Sequence, residues 1–321
     1  MKKRTVIWLM IAAFLVLTGC MIFGGVMSML GWDFAKLSTV SYETNEYAIG
    51  ESFQNISIDT NIASITFVPS NNEAVTVICH EQASYKHTVG VTDGVLTIRG
   101  KDSRKWYEHI GISFGTPKIT VSLPQGQYGA LTVKSDTGTT SIPGEFLFES
   151  MDITQTTGSV KTSATALQWV NIQTSTGSIH VENASMDALD LRVTTGKVTV
   201  SGVSCAGEAS VKVSTGKAEL TNLSCDTLTS TGSTGSLLLT NVVAANTVSI
   251  QRSTGSIHLD RCDAAALSIE TDTGNISGTL LSQKVFIAHS DTGHVDVPKS
   301  VTGGQCQLST DTGDIDIDVI E

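Results

Sequence analysis

The sequence Ser-Thr-Gly-Ser-Ile-His-Val occupies residues 175–181, and close variants follow at 194–200 (Thr-Thr-Gly-Lys-Val-Thr-Val) and 214–220 (Ser-Thr-Gly-Lys-Ala-Glu-Leu). From residue 130 onward its Thr-Gly pair recurs every 19 or 20 residues. The glycines of the ten pairs are Gly138, Gly158, Gly177, Gly196, Gly216, Gly235, Gly255, Gly274, Gly293 and Gly313. A constant period of this length is typical of stacked structural repeats, and glycine permits the positive φ that a tight corner requires.

Each repeat carries apolar residues at alternate positions, which is the period of a β-strand. The column two residues after the glycine contains Val160, Ile179, Val198, Ala218, Leu237, Ile257, Ile276, Val295 and Ile315. The column nine residues after it contains Leu147, Leu167, Met186, Cys205, Cys225, Ala244 and Ala264. A further column, five residues before the glycine, includes Ile153, Ile172 and Leu191. Three inward faces in one repeat indicate a coil that closes on itself.

The fold predicted from these columns is all-β. A repeat of 19 or 20 residues is too short for a βαβ crossover and cannot bury its own strands. We therefore predict a parallel β-solenoid (β-helix-like) of about ten coils over residues 131–321. A β-sandwich is the structural alternative, because it also has many short strands joined by turns. Nothing in a sandwich, however, requires a constant period.

Residues 51–130 are less regular, and we predict that they form N-terminal capping coils with a hairpin excursion. Ile56–Ile58 and Ile65–Phe67 resemble one coil with Ala63 at its corner, and Asp93-Gly94 is a hairpin turn signal. Trp106-Tyr107 are expected to cover the end of the rod, because an uncovered first coil would expose apolar surface. At the other end, we expect Asp314, Asp316 and Asp318 to protect a terminal edge strand.

A membrane segment precedes the repeats. Thr5–Leu30 has no formally charged residue and would span roughly 39 Å as a helix at about 1.5 Å per residue. Lys2, Lys3 and Arg4 precede it, so the positive-inside rule predicts a single-pass anchor with a cytoplasmic N-terminus and an extracytoplasmic solenoid. We assign residues 1–32 to the tip and anchor and residues 33–50 to a tether. A lipoprotein acylated at Cys20 and an ordinary cleaved signal are the alternatives.

Composition and charge disfavour several classes of function. The chain has a net charge of −11, which disfavours nucleic-acid binding because phosphate recognition needs a concentrated basic patch. The repeats show no long insertion that could shape a catalytic cleft, and no acid/base pair can be placed. We therefore predict no enzyme activity, no catalytic residues, no cofactor and no metal.

Three residue groups leave alternatives open. Asp-Thr-Gly occurs four times, but its carboxylates share one phase of the repeat and do not converge as those of a protease must. Asp272, Asp291 and Asp311 are expected on three consecutive coils and are either solvated corner residues or ligands of a shared cation such as calcium. Cys205 and Cys225 lie one coil apart and are either stacked free thiols or a disulfide.

The chain resembles a bacterial membrane-anchored β-strand-repeat family, a domain of unknown function known as the putative adhesins. The residues that carry this resemblance are the N-terminal anchor, the segment Tyr42–Ile58, Trp106-Tyr107, the Pro117–Val121 strand and the repeated Thr-Gly units. It implies a cell-surface scaffold without established binding residues, with cell-wall glycan or an envelope protein as the expected partner. A related membrane protein accompanies a cell-envelope stress-sensing system, so the resemblance also implies a regulatory alternative.

Overall fold

The structure is a computed structural model that describes residues 3–33, 40–71, 73–102 and 115–320. Its one helix within these ranges, α1 (Lys3–Met29), contains a 25-residue span, Thr5–Met29, with a mean hydropathy of 2.6. The span is long and apolar enough to cross a membrane. Its side chains, among them Trp8 and Leu15, are largely exposed in the structure, which is the pattern of a helix whose surroundings are lipid or protein rather than water.

The first seven strands form the N-terminal end of the solenoid. They are β1 (Tyr42–Ile49), β2 (Asn55–Ile62), β3 (Ser64–Pro69), β4 (Val75–Gln82), β5 (Tyr85–Thr92), β6 (Val95–Asp102) and β7 (Lys118–Leu123). β2 and β3 make one coil with Ala63 at its corner, as the sequence predicts. β5 and β6 form the predicted hairpin, and Asp93 and Gly94 of its two-residue turn both have positive φ. β1 lies within the stretch assigned to the tether and pairs antiparallel with β4.

The remaining strands build the regular coils. They are β8 (Gly126–Ile142), β9 (Phe146–Thr162), β10 (Thr165–Glu182), β11 (Ser185–Met186), β12 (Ala188–Cys205), β13 (Glu208–Thr234), β14 (Leu237–Thr254), β15 (Ile257–Cys262), β16 (Ala266–Thr273), β17 (Ile276–Leu280), β18 (Lys284–Thr292), β19 (Val295–Asp296), β20 (Gly304–Thr312) and β21 (Ile315–Val319). Successive coils pair in parallel and in register, for example Gly177 with Gly196 and Gly196 with Gly216. The predicted β-solenoid of about ten coils is therefore confirmed.

The corner glycines explain why the period is so strict. All ten have a φ between 125° and 153°, a region that side-chain-bearing residues rarely adopt. A Cβ on Gly196 would also overlap the carbonyl oxygen of Gly177 on the neighbouring coil. Glycine is thus required at this phase both for the corner conformation and for the close approach of successive backbones.

The core is one continuous apolar cluster along the rod. The column two residues after the glycine is buried from Val160 to Ile276 and again at Ile315. Val295, which belongs to the end coil, is only half-buried. Continuous burial of this kind supplies most of the stabilisation of a repeat fold, since no single coil can cover its own strands.

The column nine residues after the glycine is predicted correctly only from Met186 onward. Leu147 is half-buried and Leu167 is 45% exposed. In these two coils the inward side chains are instead Phe146, Phe148 and Ala166. The cause lies six residues after the glycine. Later coils have a residue of positive φ there, such as Asn183 or Asn222, which shifts the alternation by one residue. The first two coils lack it, so burial continues at even offsets as far as Ala166.

The coil order at the C-terminal end differs from the chain order. β20 pairs with β16 on one side and with β18 on the other, so the coil of Gly313 lies between those of Gly274 and Gly293. The prediction that Asp314, Asp316 and Asp318 protect a terminal edge is therefore wrong for the start of β21, where Asp316 has Ser277 and Asp296 as neighbours. At this end of the rod, the outermost described coil is that of β18 and β19.

The N-terminal end is arranged in the same way. β2 lies between β6 and β8, although β6 follows β2 in the chain and β8 comes later still. The coil that begins the solenoid is thus covered on its outer side by the excursion of β4 to β7. At both ends the coil nearest the end of the chain is sandwiched between two others, which protects it from fraying.

Candidate functional site

Within the described residues, the corner aspartates are not gathered into a group of potential metal ligands. Asp272, Asp291 and Asp311 are all exposed, and in space the coil of Asp311 lies between the other two. Asp291 accepts a hydrogen bond from the His289 Nε2 at 2.8 Å. Within the described part of the chain, the one group of three potential ligands with mutual distances within 4.8 Å lies elsewhere, in the N-terminal cap. The shared-cation alternative for these aspartates is therefore not supported.

Cys205 and Cys225 are both free thiols and both buried. The Cys205 Sγ lies 3.2 Å from the carbonyl oxygen of Glu208 and 3.3 Å from that of Asp187. Burial raises the pKa of Cys225 to about 12 and also raises the pKa of Cys205. Protonated, enclosed thiols are poor nucleophiles and poor metal ligands, so this pair fills the core.

Within the described ranges, no two histidines belong to one group of potential metal ligands. His180 contacts Glu182 at 2.9 Å and His258 contacts Ser277 at 3.1 Å, on separate coils of the outer surface. His80 contacts Thr44, and His87 is buried in the cap. His109, Trp106 and Tyr107 lie outside the described residues.

A buried polar cluster in the cap is the first constellation that the sequence did not reveal. The Glu81 side chain is completely buried and His87 is 3% exposed. The Glu81 Oε2 lies 2.6 Å from the His87 Nδ1 and accepts a hydrogen bond from the His87 backbone N–H at 2.7 Å. The Glu81 Oε1 accepts one from Asn45 at 2.8 Å, and the His87 Nε2 lies 2.8 Å from the Thr60 Oγ1.

This cluster has the order of a hydroxyl, an imidazole and a carboxylate, which is the order of a nucleophile, base and acid in hydrolases. Thr60 is 2% exposed, and Tyr85 packs edge-on against the His87 ring with its centroid 5.5 Å away. A substrate therefore has no access to the hydroxyl group. The hydrogen bonds of Asn45, Thr60, Glu81 and His87 join β1, β2, β4 and β5.

The same cluster supplies the group of potential metal ligands, Cys79, Glu81 and His87. Burial, and secondarily the charge of Glu81, raises the pKa of Cys79 to about 12, so its thiol is protonated at neutral pH. The direct bond between Glu81 and His87 leaves no space for a cation between them. A sequence signal did exist: Glu81 follows Val77 and Cys79 at alternate positions, which places it on the buried face of β4.

The second constellation is a recess beside Trp169, on the outer surface of the regular coils. The bulge in β10 turns Leu167 and Trp169 outward, and Trp169 is 39% exposed. Its neighbour on the next coil is Ala188, whose small side chain leaves a depression against the indole. The recess has a volume of about 370 Å³, which lies within the usual range for small-molecule sites of roughly 300–1,000 Å³. Its lining residues are Trp169, Val170, Asn171, Ala188, Leu189, Asp190, Arg192, Glu208 and Ser210.

Charged side chains are held in place at this recess. Arg192 donates hydrogen bonds from Nε and Nη2 to both carboxylate oxygens of Asp190, at 2.6–3.1 Å. The hydrogen bonds to Asp190 also raise the pKa of Arg192. Asn171 donates to Asp152 at 3.0 Å. A bidentate ion pair of this kind favours one relative orientation of the two side chains.

A smaller polar recess continues from the first. It has a volume of about 230 Å³, and Arg192 lies at the border of both. Its other lining residues are Gln173, Val193, Thr194, Lys212 and Ser214. The two recesses share Arg192 and are lined by residues of three coils; we refer to them together as the Trp169 groove. The sequence signal for it was a tryptophan at a phase where the facing residues, Ser150, Ala188 and Glu208, are small or polar.

Comparison with known proteins gives a family and a set of similar folds. The family model described as Toastrack DUF4097 matches residues 53–216 and 206–321. No curated protein matches the sequence significantly. A protein described as a putative lipid binding protein from Parabacteroides distasonis ATCC 8503 is 16% identical over 75% of this chain and 98% of its own, with a TM-score of 0.48.

Two further solved structures are described as putative adhesins. The one from Parabacteroides distasonis ATCC 8503 is 11% identical over 87% of this chain and 98% of its own, with a TM-score of 0.42. The one from Bacteroides fragilis NCTC 9343 is 15% identical over 87% of this chain and 97% of its own, with a TM-score of 0.34.

Proposed function

This chain belongs to the Toastrack DUF4097 family, whose function is unknown, and from that premise we propose that it is a membrane-anchored extracytoplasmic scaffold. In this proposal the solenoid binds a glycan or protein of the cell envelope and catalyses no reaction. The observation that carries it is the combination of one apolar, membrane-length helix with a rod of in-register coils.

The anchor is supported by the surface of α1. Its side chains from Val6 to Val26 include many large apolar groups that the described protein does not cover. Such a surface is unfavourable in water by about 25 cal/mol per Å² of apolar area. Lys2, Lys3 and Arg4 on its N-terminal side favour a cytoplasmic N-terminus, which would place the solenoid outside the cytoplasm.

The rigidity of the stacked coils supports a scaffold function. Each central coil is hydrogen-bonded along nearly its whole length to the coils on both sides, so the outer surface presents fixed rows of side chains. A non-catalytic function is supported by the cap, where the arrangement that most resembles hydrolytic machinery, Thr60, His87 and Glu81, is enclosed by protein. Repeated rigid surfaces are suited to binding extended partners.

The test of attachment uses the full chain expressed in bacterial cells. We expect it in the membrane fraction after an alkaline wash, with its solenoid cleaved by protease added to intact spheroplasts and with an uncleaved N-terminus by mass spectrometry. Cys20→Ala should behave identically, because an anchoring helix does not need acylation at Cys20. Release of Cys20→Ala from the membrane, loss of residues before Cys20, or protection of the solenoid from protease would contradict the proposal.

The test of binding uses the full chain in lipid nanodiscs. Sedimentation with purified cell-wall sacculi or with membranes stripped of this protein should show saturable binding to one of them. A regulatory accessory would give a different result: deletion of the gene would change the response of a cell-wall-antibiotic reporter while the purified protein bound no envelope material. That outcome would replace the scaffold proposal.

A further inference from the structure

The Trp169 groove combines an apolar ring with polar groups of both signs. One wall is the indole of Trp169, and the floor is Ala188 with Ser210. The other wall carries Glu208 and the Asp190–Arg192 pair. A ligand that fits must therefore offer one apolar face to the indole and, around its edge, groups that both donate and accept hydrogen bonds.

The charged side chains of the groove further restrict the class of ligand that can bind. Asp190 and Glu208 are balanced by Arg192 and Lys212, although the whole chain has a net charge of −11. The two carboxylates disfavour a polyphosphate or nucleic acid, since like charges repel strongly at short range. The local balance favours a neutral or weakly charged polar ligand.

We propose that the Trp169 groove binds a saccharide chain, with one pyranose ring stacked on the indole of Trp169. A pyranose presents a face of C–H groups on one side and hydroxyl groups around its rim, and each hydroxyl both donates and accepts. Asp190, Glu208 and the Asn171 carbonyl oxygen supply acceptors, while the guanidinium of Arg192 and the Asn171 amide supply donors. This inference rests on the proposed envelope-binding function and identifies the ligand class.

The geometry also suits a chain of more than one ring. The second recess, with Gln173 and Lys212, begins where Arg192 ends the first. Trp169 and Gln173 are four residues apart on β10, about 13 Å at roughly 3.3 Å per residue. A linear oligosaccharide can therefore occupy both recesses.

The side chains are arranged before a ligand arrives. Asp190 and Arg192 hold each other through bonds to both carboxylate oxygens. The bulge that turns Trp169 outward is fixed by the bond from the Asp187 backbone N–H to the Gln168 carbonyl and by the Gln168 side chain on Glu149. Less side-chain freedom is then lost on binding, which strengthens affinity.

The experiment measures saccharide binding to the full chain in nanodiscs, by saturation-transfer NMR and by titration calorimetry. The probes are chitohexaose, cellohexaose, laminarihexaose and an unsubstituted cell-wall glycan strand. We expect saturable binding of at least one probe, at least a tenfold loss in Trp169→Ala, and a smaller loss in Trp169→Phe, which keeps an aromatic face. Ala188→Gln fills the floor of the recess from an exposed position and should also abolish binding, which covers the case in which Trp169→Ala fails to fold.

Leu167→Ala provides the matched control. Leu167 is exposed on the same bulge but does not line the recess, so its removal should leave saccharide binding unchanged. Equal losses in Leu167→Ala and Trp169→Ala would indicate an apolar peptide surface and overturn the proposal, as would binding of none of the four probes at millimolar concentration. Sacculus or membrane binding that persists in Trp169→Ala and Ala188→Gln would overturn the saccharide groove while leaving the envelope-binding function intact.

Discussion

Gly313 stacks directly on Gly274, and Gly293, which lies between them in the chain, stacks on the other side of Gly313. The last coil is therefore an internal layer of the rod, held by β16 and by β18. The end coil depends on it, because β18 pairs only with β20 among the described strands. Folding of the end coil must wait until the final strands have been placed.

This dependence predicts that damage to the last coil releases the end coil. In Leu308→Asp, a carboxylate would enter the buried column between Ile269 and Ala288, at a local cost of about 3–5 kcal/mol. Hydrogen exchange should become fast across residues 284–297 and 304–319 and stay slow across residues 131–262. Ile287→Asp is the control, since Ile287 is 53% exposed on β18. Unchanged protection of residues 284–297 in Leu308→Asp would contradict the coil order.

We predict that replacing a corner glycine with alanine destabilises the protein far more than the same replacement at another glycine. A methyl group on Gly196 would overlap the Gly177 carbonyl oxygen, and the residue would keep a φ of 145°. We expect Gly196→Ala to lower the free energy of unfolding by about 2–5 kcal/mol, through backbone strain and overpacking together. Gly126→Ala has open space around its Cβ and no positive φ, so its chemical denaturation curve should match that of the parent protein within about 0.5 kcal/mol. Similar curves for the two variants would contradict the role assigned to the corner.

Periodicity was sufficient to predict the solenoid. A coil places each residue above its equivalent one period earlier, so the same spatial requirement recurs at Gly177, Gly196 and Gly216 and becomes visible in one sequence. The corner at Ala63 was also predictable, because its flanking strands keep the same alternation. Local chemistry likewise specified the Asp93-Gly94 hairpin.

Departures from the period were not predictable. The order of the last three coils depends on which strand edges meet, and the Gly274, Gly293 and Gly313 repeats have nearly the same sequence pattern. The coil of Leu167 lacks the positive-φ residue that shifts the alternation in later coils, so counting nine residues from the glycine assigned Leu167 to the wrong face. The bond between Glu81 and His87 joins two strands of a hairpin-rich cap where spacing alone gives no distances.

The buried cluster predicts a large stability effect in the cap. Glu81→Gln would place an amide NH₂ or a neutral oxygen where a carboxylate now accepts bonds from His87 and Asn45. Leaving a buried polar group without its hydrogen-bond partner costs about 1–3 kcal/mol, so the cap should open more often. Alkylation of the buried Cys79, located by mass spectrometry, should then become faster. Lys86→Ala removes only the surface pair with Glu43 and should leave the alkylation rate unchanged; faster alkylation in Lys86→Ala alone would contradict this.

The burial of Arg252 leads us to predict that replacing it stabilises the protein. Arg252 is 2% exposed, its Nη2 donates to Ser230 at 2.9 Å, and its Nε has no hydrogen-bond partner among the described residues. It occupies space that Gly232 leaves on the adjacent coil. Burial lowers its pKa to about 10, which shows that the charged form is unfavourable in the folded state.

Replacing that charge with an apolar side chain of similar length should therefore stabilise the rod. We expect Arg252→Met to raise the denaturation midpoint, by about 1–3 kcal/mol in the free energy of unfolding, even though Ser230 loses its partner. The exposed Arg99 gives the control, because Arg99→Met should change the midpoint little. A lower midpoint for Arg252→Met would mean that the hydrogen bonds of the guanidinium outweigh its desolvation.

We predict that the interactions of Glu182 make a pH-dependent contribution to the free energy of unfolding. Hydrogen bonds from Lys161 and from His180, each at 2.9 Å, lower the pKa of Glu182 from 4.5 to about 2. Because the folded-state pKa lies below the unfolded one, this stabilisation is fully present above about pH 4.5 and is lost as the pH falls towards 2. The Glu182 side chain is 28% exposed and its two partners lie at the surface, so its contribution should be below about 1 kcal/mol. Denaturation curves of Glu182→Gln and the parent protein should differ at pH 6 and converge near pH 2, and the difference should shrink in high salt. Lys161→Met removes the hydrogen bond that lowers the pKa of Glu182 most, so it should reproduce most of the Glu182→Gln effect. A difference that persists unchanged at pH 2 would show that Glu182 acts through packing instead of charge.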